Sequence, residues 1–167
     1  MKVGGVILPE TLLVEHEQLV LNGAGIRTKF FINVYACGLY LLKKNSNAES
    51  IIVADEPMAI RMHIIFDHIT NTQMKDAIKD GLKIASKGDI SYIKGIMDLI
   101  DESYKDAIHK DDIFDLIYSS AIGGLGVAKN GELKGSTPGL QVKNTVFSIW
   151  LGSNPLQKAL KKALLGL

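Results

Sequence analysis

Residues 33–42, NVYACGLYLL, constrain the fold more than any other part of the chain. If the segment is a strand, alternate side chains point to opposite faces, and both faces are apolar. A strand with two apolar faces is covered on both sides, so we predict that it lies at the centre of a sheet. Ala36 and Gly38 leave one face shallow, so a helix or a ligand can come close to it.

Strands and helices are predicted in separate runs along the chain. The predicted strands are residues 18–22, which end at an NGAG turn, and residues 33–42, 59–66, 112–119 and 124–135, with Asn130-Gly131 as a hairpin turn in the last of these. Helices follow the middle and last strands. Segregated runs of this kind favour an α+β fold with a largely antiparallel sheet, in a single domain over residues 1–167.

The predicted helices have recognisable ends. Thr70 and Gln73 match a capping box, and that helix ends near residues 87–88. A second helix is predicted to begin near Asp89. In the last third, residues 142–152 show helical spacing, and a terminal helix is predicted with Asn154 as its cap and Pro155 at its first position.

Composition and charge exclude several classes of function. The chain is 47% apolar and 22% charged, which is typical of a folded globular protein, and its formal net charge is +1. We therefore predict no nucleic-acid partner. No membrane span is predicted, because Asn33 interrupts the longest apolar stretch, which falls short of the roughly 18 residues that a spanning helix needs. The opening MKVGGVILPE is not a signal peptide as written.

No motif for a metal, a cofactor or a nucleophile stands out. The four histidines, His16, His63, His68 and His109, do not pair at metal-binding spacing, and the single cysteine, Cys37, cannot build a zinc site. The glycine-rich residues 123–131 lack the spacing of a phosphate loop and are interpreted as a hairpin. We predict neither a metal nor a cofactor.

Arg27 is the candidate for chemistry. It stands between a glycine pair and the long apolar run, and two interpretations are open: a surface charge at the end of a strand, or a cation that faces inward and holds an anion. Its guanidinium is a fixed fork of donors suited to a carboxylate, and a nearby tyrosine adds one more donor. Apolar walls would receive a hydrocarbon tail.

Several stretches together resemble the chalcone isomerase-like family over nearly the whole chain, and look most like its small bacterial members. They are GVILPETL near the start, LNGAGIRTKFFINVYACGLYL, IRMHIIFD, the late NG turn and FSIWLGSNPLQKALKKALLG at the end. The resemblance implies an open-faced β-sandwich, in which a large antiparallel sheet carries a layer of helices. The small bacterial members are often exported, so a periplasmic location is expected.

The resemblance also implies roles for single positions. The enzymes of the family use an arginine that Arg27 matches. Their strand threonine aligns with Tyr35, where the family's fatty-acid binders carry a tyrosine. The polar groups with which the enzymes place their substrate align here with Met74, Ala77, Gly81, Ile149 and Trp150. The arginine is therefore kept while the substrate-gripping groups are not, and we expect that the protein is not a true chalcone isomerase.

The leading prediction is non-catalytic binding of an apolar carboxylate, such as a fatty acid, in a cleft headed by Arg27. The predicted ligand-binding residues are Arg27, Tyr35, Tyr40, Met74 and Trp150. The alternatives are an isomerase or lyase that acts on a small non-chalcone substrate, or an interaction protein whose cleft is closed. One obstacle is distance: on a straight strand, residues 27 and 35 would be about 27 Å apart at roughly 3.4 Å per residue. No glycine or proline marks a bend between them.

Overall fold

The computed structural model describes residues 1–89 and 91–167. A small sheet pairs β1 (Lys2–Val3) with β2 (Val6–Ile7). The main sheet has seven strands: β3 (Thr11–Val14), β4 (Glu17–Lys29), β5 (Ile32–Leu41), β6 (Met58–Ile64), β7 (Ile113–Ser119), β8 (Gly124–Lys129) and β9 (Glu132–Thr137). Their order in the sheet is their order in the chain, and all neighbours are antiparallel. The predicted α+β fold with an antiparallel sheet is confirmed.

The helices cover one face of the main sheet. They are α1 (Ala48–Val53), α2 (Asn71–Ala85), α3 (Lys94–Ser103), α4 (Leu140–Leu151) and α5 (Lys158–Leu164). Tyr35, Cys37 and Leu39 of β5 pack into the core that these helices complete. Among the described residues, no helix is both long enough and apolar enough to cross a membrane.

Strand β5 is buried on both faces, as predicted. Every residue from Val34 to Leu41 is buried, and β5 lies between β4 and β6. Its second face packs in a smaller cluster with Leu19 and Leu21 of β4. The shallow spot at Gly38 is filled from within the chain, because Leu8 and Leu21 would each lie 3.1–3.2 Å from a Cβ added there.

Two local sequence signals form the structures that were predicted from them. The hydroxyl of Thr70 accepts from the backbone N–H of Gln73 at 3.0 Å, and the Gln73 side chain accepts from the Thr70 N–H at 3.0 Å, which completes the capping box of α2. Asn130 and Gly131 have φ angles of 51° and 83°, the left-handed values that a two-residue hairpin requires.

The predicted NGAG turn is wrong, because β4 continues through it. The glycines serve packing against α5 instead of a turn. A Cβ on Gly23 would lie 2.2 Å from the carbonyl oxygen of Ala163, and one on Gly25 would lie 2.8 Å from the Ala163 Cβ. The helix can approach β4 this closely only where the strand has no side chain.

Two predicted helix starts are also wrong. Helix α3 begins at Lys94, five residues after Asp89, whose carboxylate accepts instead from the N–H and hydroxyl of Ser91. Helix α5 begins at Lys158 with Gln157 as its cap, three residues later than the prediction at Pro155. Helix α1, capped by the Asn47 side chain, was not predicted.

Strands β4 and β5 are joined by a sharp turn at Phe30 and Phe31. Both residues have positive φ angles, 49° and 65°. Glycine and asparagine are the usual residues in such a turn, and a left-handed conformation costs other residues roughly 1–2 kcal/mol each. The sequence shows no sign of this bend, yet it folds residues 27 and 35 back onto each other.

Candidate ligand-binding pocket

A pocket of about 180 Å³ lies beside the β4–β5 hairpin, the first half of α2 and the connection between α4 and α5. Its polar lining comes from Arg27, Lys29, Tyr35 and Gln73. The other lining residues are apolar: Phe30, Ile32, Val34, Phe66, Ile69, Met74, Ala77, Ile78 and Leu156. The space is therefore a mostly apolar pocket with a few polar side chains in its lining.

Arg27 is held in place through one nitrogen of its guanidinium. Its Nη1 donates to the carbonyl oxygen of Leu156 at 3.2 Å, and to the Gln157 side chain and the Thr28 carbonyl at 3.4 Å each. None of the salt bridges between described residues involves Arg27. Its positive charge has no protein counter-ion there, and Nε and Nη2 donate to no described residue.

The Gln157 side chain fixes the strand next to this arginine. Its Oε1 accepts from the backbone N–H of Thr28 at 2.9 Å, and its Nε2 donates to the carbonyl oxygen of Ile26 at 3.3 Å. Residues 156 and 157 therefore hold the end of β4 in place beside the pocket through hydrogen bonds. The residue before α5, Gln157, is extended, and its side chain bonds to β4 instead of continuing a helix from Pro155.

Tyr35 is the direct neighbour of Arg27 on the adjacent strand. The two residues are partners in the β4–β5 register, and side chains that are opposite each other in an antiparallel pair share one face of the sheet. The hairpin thus removes the obstacle of a 27 Å separation. A register shift follows directly, between Arg27 and Thr28, and accompanies the tight turn.

The hydroxyl of Tyr35 accepts one hydrogen bond and donates none to the described residues. Trp150 Nε1 donates to the Tyr35 oxygen at 3.1 Å in the buried interior. Burial raises the pKa of the Tyr35 phenol, so it keeps its proton at neutral pH. The indole N–H uses an oxygen lone pair, while the phenolic proton is donated to no described residue. Tyr35 is 4% exposed and is one of the residues that line the pocket.

The other predicted site residues occupy three different places. Met74 of α2 lines the pocket and is 2% exposed. Trp150 does not line it, and contacts it only through Tyr35. Tyr40 lies outside it, on the opposite face of β5, where its hydroxyl donates to the Pro9 carbonyl at 2.9 Å. Because residues 35 and 40 have opposite parity, they cannot face one pocket from a regular strand.

Sequence reasoning missed several residues that line or support the pocket. Gln157 carries no motif, and its role depends on β4, more than 120 residues earlier in the chain. Phe30 and Ile32 line the pocket because the chain bends at residues 30–31, and no local sequence signal predicts that bend. Across the part of the chain that the structure describes, no group of three or more His, Cys, Asp or Glu side chains could hold a metal ion.

Comparison with known proteins places this architecture in a family. A crystal structure of a fatty-acid binding protein from Arabidopsis thaliana superposes with a TM-score of 0.74 at 19% sequence identity, covering 97% of this chain and 92% of that chain. A comparison with curated proteins gave no significant match. A family profile described as chalcone isomerase-like matches residues 1–166. The chain therefore belongs to the chalcone isomerase-like family.

Proposed function

We propose that the protein binds an apolar carboxylate, such as a fatty acid, without catalysing a reaction on it. The observation that carries the proposal is the pair of Arg27 and Tyr35, partners across two strands at an apolar pocket. One donor is charged and the other is neutral, and each has hydrogen-bonding capacity beyond its bonds to described residues. A carboxylate offers two acceptor oxygens to such a pair.

The pocket's lining supports an acid with a hydrocarbon tail. Its walls are mostly aliphatic and aromatic, and none of the described lining residues is acidic, so a bound carboxylate meets no like charge. The Arabidopsis relative is a fatty-acid binding protein by its description. At 19% identity this similarity supports the fold alone, so a fatty-acid ligand is proposed for this chain from its own pocket.

The pocket's size suggests how a ligand would be held. An engineered cavity of about 150 Å³ takes benzene, so a pocket of about 180 Å³ encloses a head group and only a few carbons of tail. A longer chain would continue through the mouth, past Phe30 and Ile32. We expect affinity to rise by roughly 0.8 kcal/mol for each enclosed CH₂ and to level off in longer acids.

Catalysis is the less favoured function for this pocket. General acid–base chemistry needs a group that exchanges a proton near neutral pH, most often a histidine or a carboxylate. The described lining contains neither, and the buried tyrosine keeps its proton. An oxyanion held by Arg27 would have no base beside it.

Calorimetry with octanoate and dodecanoate tests the proposal on the wild type, Arg27→Ala, Tyr35→Phe and the double variant. We expect Arg27→Ala to weaken binding by roughly 1.5–3 kcal/mol, or about tenfold to 150-fold, and Tyr35→Phe to weaken it less. Since both residues contact one head group, the double variant should lose less than the sum.

Tyr40→Phe is the matched control, because it removes a buried tyrosine hydroxyl on the other face of the same strand. It should bind like the wild type. Dodecanol tests the role of the charge, because it lacks the carboxylate and should bind more weakly than dodecanoate. Equal affinity of all variants for the acids would refute the site.

A further inference from the structure

The β4–β5 hairpin ends in an exposed group of three apolar residues, Phe30, Phe31 and Ile32, which we call the aromatic tip. Phe30 is 83% exposed, Phe31 is fully exposed and Ile32 is 39% exposed. The other exposed large apolar residues in the described chain are isolated in sequence. Single exposed apolar residues are ordinary, whereas a contiguous apolar group often marks a surface that binds a partner.

The two phenylalanines do not favour the conformation of the turn that they form. Phe30 and Phe31 adopt left-handed backbone angles, and Asn130-Gly131 forms a turn with similar angles elsewhere in the same chain. Asn-Gly is a favoured pair for such a turn, and bulky residues are disfavoured. Strain of this kind points to a function for the side chains that cause it.

The aromatic tip borders the mouth of the pocket. Phe30 and Ile32 contribute to its lining, together with Lys29, whose ammonium is 5.7 Å from the centre of the Phe30 ring. The charged side chains among the described lining residues are Arg27 and Lys29, and both are basic. The phenylalanine rings lie at the end of the turn, and the two cations lie behind them. An anionic lipid surface has matching layers, because its apolar interior lies under negative head groups.

We propose that the aromatic tip inserts into an anionic lipid surface and brings the mouth of the pocket to it. A second protein fits the tip less well. Two phenylalanine rings present roughly 300–500 Å², whereas a stable protein interface buries about 800 Å² on each partner. The net charge of +1 gives little long-range attraction, so docking depends on the tip itself and is weak and reversible.

Docking at this place would let an acid pass between the lipid and the pocket without crossing water. This loading role rests on the proposed function, whereas insertion of the tip does not. A tail that extends past Phe30 would lie along the same side chains that enter the lipid. The hairpin would then serve both as a wall of the pocket and as its contact with the lipid surface.

Flotation with vesicles of phosphatidylcholine and phosphatidylglycerol tests the insertion. The informative variant is Phe30→Asn together with Phe31→Gly, which gives the turn its preferred residues. We expect this variant to melt at a higher temperature than the wild type and to bind vesicles at least about tenfold more weakly. Leu13→Asn is the control: it removes a side chain that is 75% exposed near the other end of β4, and should bind like the wild type.

The outcomes separate the two proposals. Arg27→Ala should keep most of the vesicle binding, because the rings provide the insertion, while its affinity for dodecanoate falls. Phe31→Gly alone changes a ring that does not line the pocket, so it should keep its affinity for soluble octanoate and accept a fluorescently labelled palmitic acid from vesicles more slowly. Wild-type protein that does not float with vesicles, or a tip variant that floats equally well, would overturn the insertion. So would wild-type protein that forms tip-dependent dimers and leaves vesicles unbound.

Discussion

At the scale of single residues, a buried cation and a buried phenol secure helix α1. Lys143 of α4 is fully buried, and its Nζ donates to the carbonyl oxygens of Ile52 and Ala54 at 2.6 Å each. These carbonyls lie at the end of α1, where the helix leaves acceptors unpaired and where its dipole favours a positive charge. Tyr118 of β7 donates to the Asp55 carboxylate at 2.6 Å, just beyond the same helix end.

Tyr118→Phe should reveal the contribution of this phenol through its pH dependence. Burial, with the bond to Asp55, raises the pKa of Tyr118 from 10.0 to about 12. The folded state therefore holds the proton more tightly than the unfolded state, so the stabilisation is complete below pH 10 and is lost as the pH rises through about 12. We expect the variant to be less stable by about 1 kcal/mol at pH 8.

Urea unfolding of both proteins from pH 8 to pH 11 gives the measurement. The difference in unfolding free energy should shrink above pH 10. Both proteins lose stability there, because burial raises the pKa of the other buried tyrosines and they ionise at these pH values only in the unfolded chain. A difference that stays constant over this range would show that the hydroxyl is not held as a protonated donor.

At the scale of elements, the contact between α5 and β4 depends on the absence of side chains on the strand. Gly25→Ala should destabilise the fold, because the new Cβ would be 2.8 Å from the Ala163 Cβ and 3.0 Å from Leu160 Cδ1. Overpacking of this kind costs typically 1–3 kcal/mol. Because the closer of the two contacts is with the Ala163 methyl group, Ala163→Gly should relieve part of the clash, even though glycine within a helix costs about 1 kcal/mol.

A double-mutant cycle on Gly25 and Ala163 in urea checks this contact. We expect a favourable coupling in the double variant, which should be more stable than the sum of the single changes indicates. Strict additivity would mean that the helix shifts as a body and that the two sites are independent.

The elements that sequence predicted best are those whose signals are local. Thr70 and Gln73 are three residues apart and together cap the start of α2, and Asn130-Gly131 contains its own turn geometry. Gly23 and Gly25 were misinterpreted because a glycine accommodates either a turn or a close neighbour, and the neighbour is about 140 residues away. The bend at Phe30 was invisible because its residues oppose the local preference.

The same distinction holds for the candidate site. Arg27 and Tyr35 could be selected from residue chemistry and family resemblance, but their adjacency required the hairpin. Gln157 could not be selected at all, since only the folded chain brings it to β4. Tyr40 was included although its parity in the strand places it on the other face.

At the scale of the whole molecule, the C-terminal segment packs against β4, in the first third of the chain. Leu160 and Leu164 of α5 are buried in the main core. The Asn22 side chain donates to the Leu164 carbonyl at 2.8 Å, and Arg27 donates to the Leu156 carbonyl. Stability and the pocket therefore depend on the same C-terminal segment.

Removal of residues 153–167 should accordingly lower the melting temperature severely and abolish ligand binding. Loss of a buried leucine costs about 2–5 kcal/mol, and two such losses rival the roughly 5–15 kcal/mol that stabilise an ordinary domain. A chain that lacks only Leu167, which is 74% exposed, is the control and should melt like the wild type.

Circular dichroism gives the melting curves, and calorimetry with dodecanoate reports on the pocket. Because Gln157 and the Leu156 carbonyl position Arg27, dodecanoate affinity should fall even at temperatures where the shortened chain stays folded. An unchanged melting curve would show that α5 is an appendage, and unchanged affinity would show that Arg27 needs no support from residues 156 and 157.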